Sequence, residues 1–242
     1  MTEDAAKYLA SLGSRYRSGH ASFEAQSLEC INVSFSIGGE DLFLRKRLKN
    51  RLSSKEHGTY VDIGAFHPFL GSNTYVYYAG GWSGICVDAN PALRDVFVQA
   101  RPRDLFISGA VMEYPKDTLF ARHKENTGKS SIFDDPSKIT PDFDQPVMVS
   151  AQRLDDILDT HLESGRYIDF MNVDTEGTEL TVLRSNNWDR YRPGLLCIEL
   201  HGIGLTDLAD APLVNFLGDV GYSAYALAAP NIFFEDITRT SA

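Results

Sequence analysis

One stretch of this 242-residue chain decides its fold: TYVDIGAFHPFLGSNTY, residues 59–75. It begins with an apolar run that ends around Asp62 and Gly64, continues as a polar loop, and enters a helix near Ser72 or Asn73. In an open α/β sheet, ligands bind beyond the carboxyl ends of the strands, and a glycine there lets the backbone approach a ligand closely. The stretch therefore predicts a strand, a loop and a helix that border a ligand site.

Short apolar runs recur along the chain and alternate with helix-like segments. The runs lack strict alternation, which is typical of strands buried on both faces of a parallel sheet. Strands are predicted at 59–64, 84–89, 104–111, 147–151, 167–174, 194–200, 223–227 and 231–236. Helices are predicted at 40–52, 72–80, 91–100, 153–163, 178–185 and 206–219. The βαβ order predicts a doubly wound α/β fold, and the short connection between the last two runs predicts an antiparallel hairpin at the sheet edge.

The same pattern predicts the domain organisation. Residues 1–38 are expected to form an N-terminal extension, and residues 39–242 the folded domain. Within that domain, residues 121–145 contain two prolines and little apolar periodicity. Such a long connection is usually a lid, a binding loop or a disordered excursion. We expect a lid loop.

The composition excludes several classes of protein. Acidic residues number 33 against 23 Lys and Arg, a formal net charge of −10, so we expect no nucleic-acid partner. The sequence has no apolar run long enough to span a membrane and no apolar signal-peptide core, so we expect no integral membrane segment and a cytoplasmic location. Cys30, Cys86 and Cys197 are odd in number and widely spaced, which favours reduced thiols over a disulfide or a zinc site.

The first two strand ends point to the kind of cofactor. Asp88 follows the second strand, where a carboxylate can accept hydrogen bonds from both hydroxyls of a ribose. The GxGxxG fingerprint is missing, because Ala65, Phe66 and His67 follow Gly64, so the phosphates of a dinucleotide are not accommodated. The pattern favours a nucleoside with an amino-acid tail, the shape of S-adenosylmethionine, over NAD. Loop capping by these carboxylates is the alternative.

A later strand end, in YIDFMNVDTEGTEL at 167–180, carries two acids. Asp174 ends the predicted strand, Glu176 follows two residues later, and Gly177 then permits a sharp turn. Both acids are therefore expected to converge on the substrate region. Strand-end carboxylates at this edge act as general bases or metal ligands, and helix capping is the alternative interpretation. Capping suffices to explain Glu179.

Two histidines lie at the same predicted edge. His201, with Glu199, ends the next strand in LLCIELHG, and His67 lies in the loop that borders the cofactor. Each could act as a base, a metal ligand or a hydrogen-bond donor to the substrate. A histidine that is hydrogen-bonded within its own loop is an equally good interpretation.

Taken in order, five motifs carry a resemblance to a known family. They are SIGGEDLFL, YVDIGAFHP with SNTYVYYAGGW, CVDANP, IDFMNVDTEGTEL and FLGDVGY, within residues 34–236. Together they resemble the FkbM family of S-adenosylmethionine-dependent methyltransferases. The resemblance implies a Rossmann-like class I methyltransferase fold, with helices on both faces of a seven-stranded, mostly parallel sheet whose last strand is reversed. It also implies methyl transfer to an oxygen, commonly a sugar hydroxyl.

The resemblance assigns cofactor contacts by position. The cofactor residues would be Glu40, Asp41, Asp62, Gly64, Ala65, Ser72, Asn73, Asp88, Ala89, Asn90, Gly109, Ala110 and Val111. Of these, the Gly-Glu-Asp element at 39–41 would approach the methionine end, the element at 72–73 would border that tail, and 109–111 would lie against the adenine. In SIGGED, the family more often has Gln and an aromatic residue before Gly-Glu-Asp.

The leading hypothesis is an S-adenosylmethionine-dependent O-methyltransferase that acts on a sugar hydroxyl in a glycan, nucleotide sugar or glycosylated natural product. The candidate catalytic residues are Asp174, His67, His201 and Glu176, with Asp174 favoured as the base. No metal is predicted outright. A carboxylate is a weak base for a hydroxyl, so the alternative is Mg²⁺ held by Asp174 with Glu199 or His201.

Three further expectations complete the hypothesis. Arg122, Lys124 and Lys129 of the lid would contact the diphosphate of a nucleotide sugar. The rival functions are an NAD(P)-dependent sugar oxidoreductase and a non-catalytic domain that binds a glycan or a partner. The sequence indicates no oligomeric state.

Overall fold

The structure is a computed structural model, which describes residues 32–52 and 57–239. Most of the predicted N-terminal extension, together with Cys30, lies outside the described residues. The folded unit runs from Ser34 onward.

Helices and strands alternate along this unit. The helices are α1 (Glu40–Arg47), α2 (Lys49–Leu52), α3 (Tyr75–Ala79), α4 (Arg94–Ala100), α5 (Leu154–His161), α6 (Glu179–Arg184) and α7 (Pro212–Asp219). The strands are β1 (Thr59–Ile63), β2 (Ser83–Asp88), β3 (Leu105–Ser108), β4 (Ala110–Val111), β5 (Thr118–Ala121), β6 (Ser131–Phe133), β7 (Val147–Val149), β8 (Ala151–Gln152), β9 (Phe170–Val173), β10 (Leu195–Glu199), β11 (Tyr222–Ala228) and β12 (Asn231–Asp236). Short 3₁₀ turns lie at Pro91–Leu93, Thr127–Lys129, Pro136–Lys138 and Leu208–Asp210.

The main sheet has seven strands in the order β11-β12-β10-β9-β1-β2-β3. Strand β1 pairs in parallel with β2 and β9, β2 with β3, and β9 with β10. Only β12, the last strand of the chain, runs antiparallel to both of its neighbours. The predicted class I methyltransferase sheet and the predicted C-terminal hairpin are both confirmed.

The sheet is buried on both faces because apolar residues occupy successive positions of the central strands. All five residues of β1 are buried. Val61 and Ile63 pack into one core with α5, α6 and α7, whereas Tyr60 packs into a second core with α1, α3 and α4. Full burial of one such aliphatic side chain contributes about 1.5–3 kcal/mol. The two cores fix the strand ends whose loops form the site.

The prediction for 147–151 is wrong in one respect, because this run is not a strand of the main sheet. Residues Val147–Val149 form β7 of a separate antiparallel sheet, β6-β5-β7, and Ala151–Gln152 pairs with β4. Val147 and Met148 are 42% and 64% exposed. A short apolar run has the same sequence pattern in a strand that is covered on both faces and in one that is covered on a single face.

The predicted strand 104–111 is also divided, at Gly109. The Gly109 N–H donates to the carbonyl of Asp88, and the Ala110 N–H to the carbonyl of Ser150. The pairing with β2 therefore ends at Gly109, and Ala110–Val111 (β4) pairs with β8 instead. Gly109 itself has little room, since a Cβ atom there would lie 2.9 Å from the Ser150 carbonyl oxygen.

The segment 121–145 contains regular structure rather than an irregular excursion. It includes β6, two 3₁₀ turns and an isolated bridge between His123 and Phe143. Its role as a lid stays a prediction. None of the helices in the described ranges combines the length and the apolar character needed to cross a membrane. Cys86 and Cys197 are buried free thiols, as predicted.

Candidate active site

A cavity of about 400 Å³ lies at the carboxyl ends of β1, β2, β9 and β10. The predicted residues that line it are Asp62, Gly64, Ala65, His67, Ser72, Asn73, Asp88, Ala89, Asn90, Gly109, Ala110, Val111, Asp174, Glu176 and Glu199. The chain thus brings residues from both halves of the sheet to one place. Glu40, Asp41 and His201 are not part of the lining.

The cavity floor depends on a close approach of two strand ends at Gly64. A Cβ atom on Gly64 would lie 1.6 Å from the carbonyl oxygen of Asp174. The φ of Gly64 is +82°, a conformation that side chains disfavour. Its N–H donates to the Val87 carbonyl, and the Asp174 N–H donates to the Ile63 carbonyl, at 2.9 Å each. Only glycine fits this position.

Asp62 lies beneath the cavity with both carboxylate oxygens engaged. Thr74 Oγ1 donates to one oxygen at 2.6 Å, and Asn172 Nδ2 donates to the other at 2.9 Å. Asn73 Nδ2 in turn donates to Asn172 Oδ1 at 2.9 Å. Burial raises the pKa of Asp62, and the two hydrogen bonds to it oppose that rise. The carboxylate therefore ties β1, β9 and the loop before α3 together.

Sequence reasoning missed Asn172, Thr74 and Arg101. The only signal for Asn172 is an amide within the apolar run FMNV of β9. Arg101 is fully buried, forms an ion pair of 2.6 Å with Asp104, and donates to Thr74 Oγ1 and to the Pro68 carbonyl. Through these two hydrogen bonds, Arg101 fixes the loop between β1 and α3.

Asp88 ends β2 with its carboxylate held by backbone donors. Its Oδ2 accepts from the Phe66 N–H and its Oδ1 from the Asn90 N–H, both at 2.8 Å. Phe66 reaches this position with a φ of +50°. Burial raises the pKa of Asp88 to about 6, although both hydrogen bonds oppose the rise. Each oxygen keeps a lone pair that can accept a further hydrogen bond from a ligand hydroxyl.

Three acidic side chains line the opposite end of the cavity: Asp174, Glu176 and Glu199. His201 Nε2 lies 3.1 Å from Glu199 Oε1 and 3.8 Å from Glu176 Oε2. The alternative metal site predicted from the sequence combined Asp174 with Glu199 or His201. The structure brings Glu199 and His201 together, and the carboxylate grouped with them is Glu176 rather than Asp174. The backbone of Glu176 adopts a φ of +56°, in the left-handed region.

These acids raise one another's pKa values. Burial, followed by contact with Glu199, raises the pKa of Asp174 well above its usual range. Burial and the charge of Asp174 raise the pKa of Glu176. Burial raises the pKa of Glu199, a hydrogen bond with Asp174 opposes that rise, and the charge of Glu176 adds to it. This end of the cavity holds more negative charge than its neighbours neutralise.

One further acid, Glu179, and one histidine, His67, have structural partners within their own loops. Glu179 Oε1 accepts from the backbone N–H groups of Thr175 and Gly177 at 3.0 Å, so capping explains Glu179 as predicted. His67 Nδ1 accepts from the backbone N–H groups of Phe69 and Leu70 at 3.3 and 3.1 Å, and burial lowers its pKa. Because Nδ1 accepts these hydrogen bonds, the neutral ring carries its proton on Nε2. This tautomer favours a structural role in the loop, or a role as hydrogen-bond donor to a ligand, over a role as general base.

The Gly-Glu-Asp element lies beside the cavity rather than in its wall. Asp41 accepts from Ser34 Oγ at 2.7 Å and from the Phe35 N–H at 2.9 Å. Glu40 accepts from the Gly38 N–H at 2.9 Å and from Asn231 Nδ2 at 3.2 Å. Approach of Glu40 and Asp41 to the cofactor stays a prediction.

The small antiparallel sheet contributes the remaining wall, through Phe120, Ile132 and neighbouring residues. Arg122 lines the cavity and forms an ion pair of 2.7 Å with Asp144. Lys124 donates to the Pro141 carbonyl at 2.6 Å and, like Lys129, does not line the cavity.

Comparison with known proteins gives the family. The family model of the methyltransferase FkbM domain matches residues 62–223, from the floor of the cavity to β11. This chain belongs to the FkbM methyltransferase family. Its cofactor is S-adenosylmethionine, and the nicotinamide alternative is not supported. The cavity fits this cofactor, because the Asp88 carboxylate in its lining keeps lone pairs for the ribose hydroxyls and its acidic residues complement a sulfonium.

Solved structures similar to this FkbM methyltransferase are distant in sequence. A TehB-like SAM-dependent methyltransferase from Corynebacterium glutamicum is 11% identical with a TM-score of 0.42, over 89% of this chain and 96% of that chain. An O-methyltransferase from Bacillus cereus, solved in complex with SAH, is 13% identical with a TM-score of 0.46, over 85% and 82%. A precorrin-6y C5,15-methyltransferase from Geobacter metallireducens is 11% identical with a TM-score of 0.38, over 78% and 85%. No curated protein matches the chain.

Proposed function

We propose that this FkbM methyltransferase transfers a methyl group to a hydroxyl oxygen of a sugar in a glycan, a nucleotide sugar or a glycosylated natural product. The observation that carries the proposal is the position of Asp174, whose carboxyl lines the cavity and whose backbone carbonyl abuts Gly64 of the cofactor loop. A carboxyl so close to the cofactor is placed to receive the proton of an acceptor hydroxyl.

The cofactor roles follow the chain order of the cavity wall. Asp88, held by two backbone N–H groups, would accept the ribose hydroxyls. Asn90 lies beside it, and the wall at Gly109–Val111 would contact the adenine. Ser72 and Asn73 are buried in the opposite wall and would border the methionine tail.

Methyl transfer from this cofactor leaves the protein little covalent chemistry to perform. When bound, S-adenosylmethionine supplies a methyl group whose C–S bond breaks as the new C–O bond forms. Asp174 Oδ takes the proton that leaves the hydroxyl, so that the acceptor oxygen becomes a neutral ether. Help from a positioned base is typically worth about 100- to 10,000-fold in rate. The cavity walls hold the acceptor in line and exclude water.

The outer rim of the cavity supports a carbohydrate acceptor. Phe66 lines the cavity and is 39% exposed, and sugars pack their C–H faces against aromatic rings. Phe120 and Ile132 continue an apolar wall from the small antiparallel sheet. The acids around Asp174 favour a neutral hydroxyl over an anionic group at the point of transfer.

The test supplies isotope-labelled methyl donor and a panel of free glycans, nucleotide sugars, glycosylated natural products, amines and thiols. We expect a labelled methyl ether on a sugar oxygen, located by mass spectrometry and NMR. Asp174→Asn should slow product formation by about 100- to 10,000-fold, and Asp219→Asn should leave it unchanged, because Asp219 is an exposed acid at the end of α7. Label on nitrogen, sulfur or carbon would overturn the proposal, and so would no label on any sugar while the protein binds S-adenosylhomocysteine.

A further inference from the structure

Three side chains at the acceptor end of the cavity offer metal-ligand atoms to one another. The donor atoms of Glu176, Glu199 and His201 all lie within 4.8 Å. Donors around a tetrahedral cation with bonds of about 2.1 Å lie about 3.4 Å apart, so the widest pair of the group must close by at most about 1.4 Å. His201 is 62% exposed in its side chain and is free to make that movement.

A second observation is the state of Glu199. This residue is 8% exposed, yet among residues 32–52 and 57–239 its Oε2 atom is buried and meets no hydrogen-bond donor. Its other oxygen contacts His201, within the group itself. A buried carboxylate oxygen without a partner is costly, and a cation bound at this group would supply one to Oε2.

The charge around the group points the same way. The carboxyls of Asp174, Glu176 and Glu199 belong to residues that line the same cavity. His201 is the basic side chain within 4.0 Å of Glu176 and Glu199. A divalent cation placed between Glu176 and Glu199 would offset the repulsion between these carboxylates.

We propose that Glu176, Glu199 and His201 bind a divalent cation at the acceptor end of the cofactor cavity. Two carboxylates and one imidazole suit Mn²⁺, Fe²⁺ or Zn²⁺, whereas Mg²⁺ prefers an all-oxygen set. Three protein ligands leave coordination positions open towards the cavity. This site differs from the Mg²⁺ site suggested by the sequence in two respects: Glu176 replaces Asp174, and the ligands suit a metal other than Mg²⁺.

The role of this cation rests on the proposed O-methylation, but its binding does not. A hydroxyl bound to a divalent cation loses its proton more readily, which would compensate for the weakness of a carboxylate base. The experiment therefore measures binding without an acceptor, so that failure of the cation site and failure of the methylation proposal remain distinguishable.

The test titrates Mn²⁺ into the chelator-treated, full-length protein saturated with S-adenosylhomocysteine. Free Mn²⁺ is followed by electron paramagnetic resonance, and binding heat by calorimetry. We expect saturation at one ion per chain, with affinity at least tenfold weaker in His201→Ala and in Glu176→Gln. The matched controls are His161→Ala and Glu163→Gln, which change an exposed histidine and an exposed glutamate elsewhere and should bind within twofold of the parent.

Two results would overturn the cation site. One is the absence of saturable Mn²⁺ and Zn²⁺ binding by the folded parent protein. The other is binding by His201→Ala and Glu176→Gln that matches their controls. Because Glu176 and His201 are not buried, circular dichroism and S-adenosylhomocysteine binding should show that both variants fold.

Discussion

Carboxylates line both ends of the cavity, but they are hydrogen-bonded very differently at the two ends. At the cofactor end, each carboxylate oxygen of Asp62 and Asp88 receives a donor from a side chain or the backbone. At the acceptor end, Asp174, Glu176 and Glu199 face one another and a single histidine. Saturated carboxylates are rigid and suited to binding neutral hydroxyls, whereas carboxylates short of donors are suited to take up a proton or a cation. Four predictions test this contrast.

The largest effect is expected where the two ends meet, at Gly64. In Gly64→Ala, the new Cβ would lie 1.6 Å from a backbone oxygen, which cannot move without displacing β9. We expect a loss of about 5 kcal/mol or more in the free energy of unfolding, and no binding of S-adenosylhomocysteine. Chemical denaturation and calorimetry measure the two.

The matched control is Gly165→Ala, because Gly165 has a φ of +76° and nothing within 4 Å of its Cβ position. It retains the backbone strain without the clash and should cost about 1–2 kcal/mol. Equal losses in the two variants would mean that strain alone, and not the contact between strand ends, accounts for Gly64.

Asp174→Asn should separate catalysis from cofactor binding. The amide keeps the size of the side chain but cannot take up the proton, so kcat should fall by about 100- to 10,000-fold. The Kd for S-adenosylhomocysteine should change by less than about threefold, because Asp88 and the β2 end are untouched. Steady-state kinetics on the sugar acceptor and calorimetry provide the measurements. A large loss of cofactor affinity with an unchanged kcat would reverse the roles of the two ends.

Asp88→Asn should show the opposite pattern. The amide nitrogen faces the Phe66 or Asn90 N–H group, and one acceptor for the ribose is lost. A hydrogen bond to a charged group contributes about 1.5–3 kcal/mol, so affinity for S-adenosylhomocysteine should fall by about 10- to 150-fold. kcat at saturating cofactor should fall much less than in Asp174→Asn. Unchanged affinity would exclude Asp88 from the ribose contact.

The smallest effect is a pH dependence of cofactor binding. Burial raises the pKa of Asp88 to about 6, so the carboxylate is ionised above that pH and protonated below it. Because the ionised form accepts the ribose hydroxyls, affinity should be full above pH 6 and fall by up to tenfold per unit below it. Calorimetry with S-adenosylhomocysteine between about pH 5 and pH 7.5 measures the slope. The slope should disappear in Asp88→Asn, and a slope that persists there would assign it to another group.

The parallel strands and the cofactor end were predictable because their signals are local. Strands β1, β2, β9 and β10 are mostly apolar, and Asp62, Gly64 and Asp88 stand at or just after the ends of β1 and β2. The position of a strand end in an α/β sheet fixes which edge its side chain reaches. Strand β7 was misplaced because a run of three apolar residues carries no information about which sheet pairs with it.

The acceptor end was predictable only in part. The acids and His201 were recognised as candidates, but Glu176 rather than Asp174 is grouped with Glu199 and His201. The three residues come from the ends of β9 and β10 and the loops that follow, and the spacing of the sequence does not fix which carboxyl lies nearest to His201. Arg101 and Asn172 act across 27 and 110 positions of sequence, on Thr74 and Asp62 respectively, and no local pattern reports such contacts.

The sequence by itself determined the βαβ order of the main-sheet strands, the class of the fold, the family and the cofactor, since each rests on short local motifs. Only the tertiary structure decided which carboxyls are saturated with donors and which are left facing each other. Hydrogen bonding and burial depend on neighbours that the folded chain brings together from distant positions, and these neighbours set the chemistry of each acid.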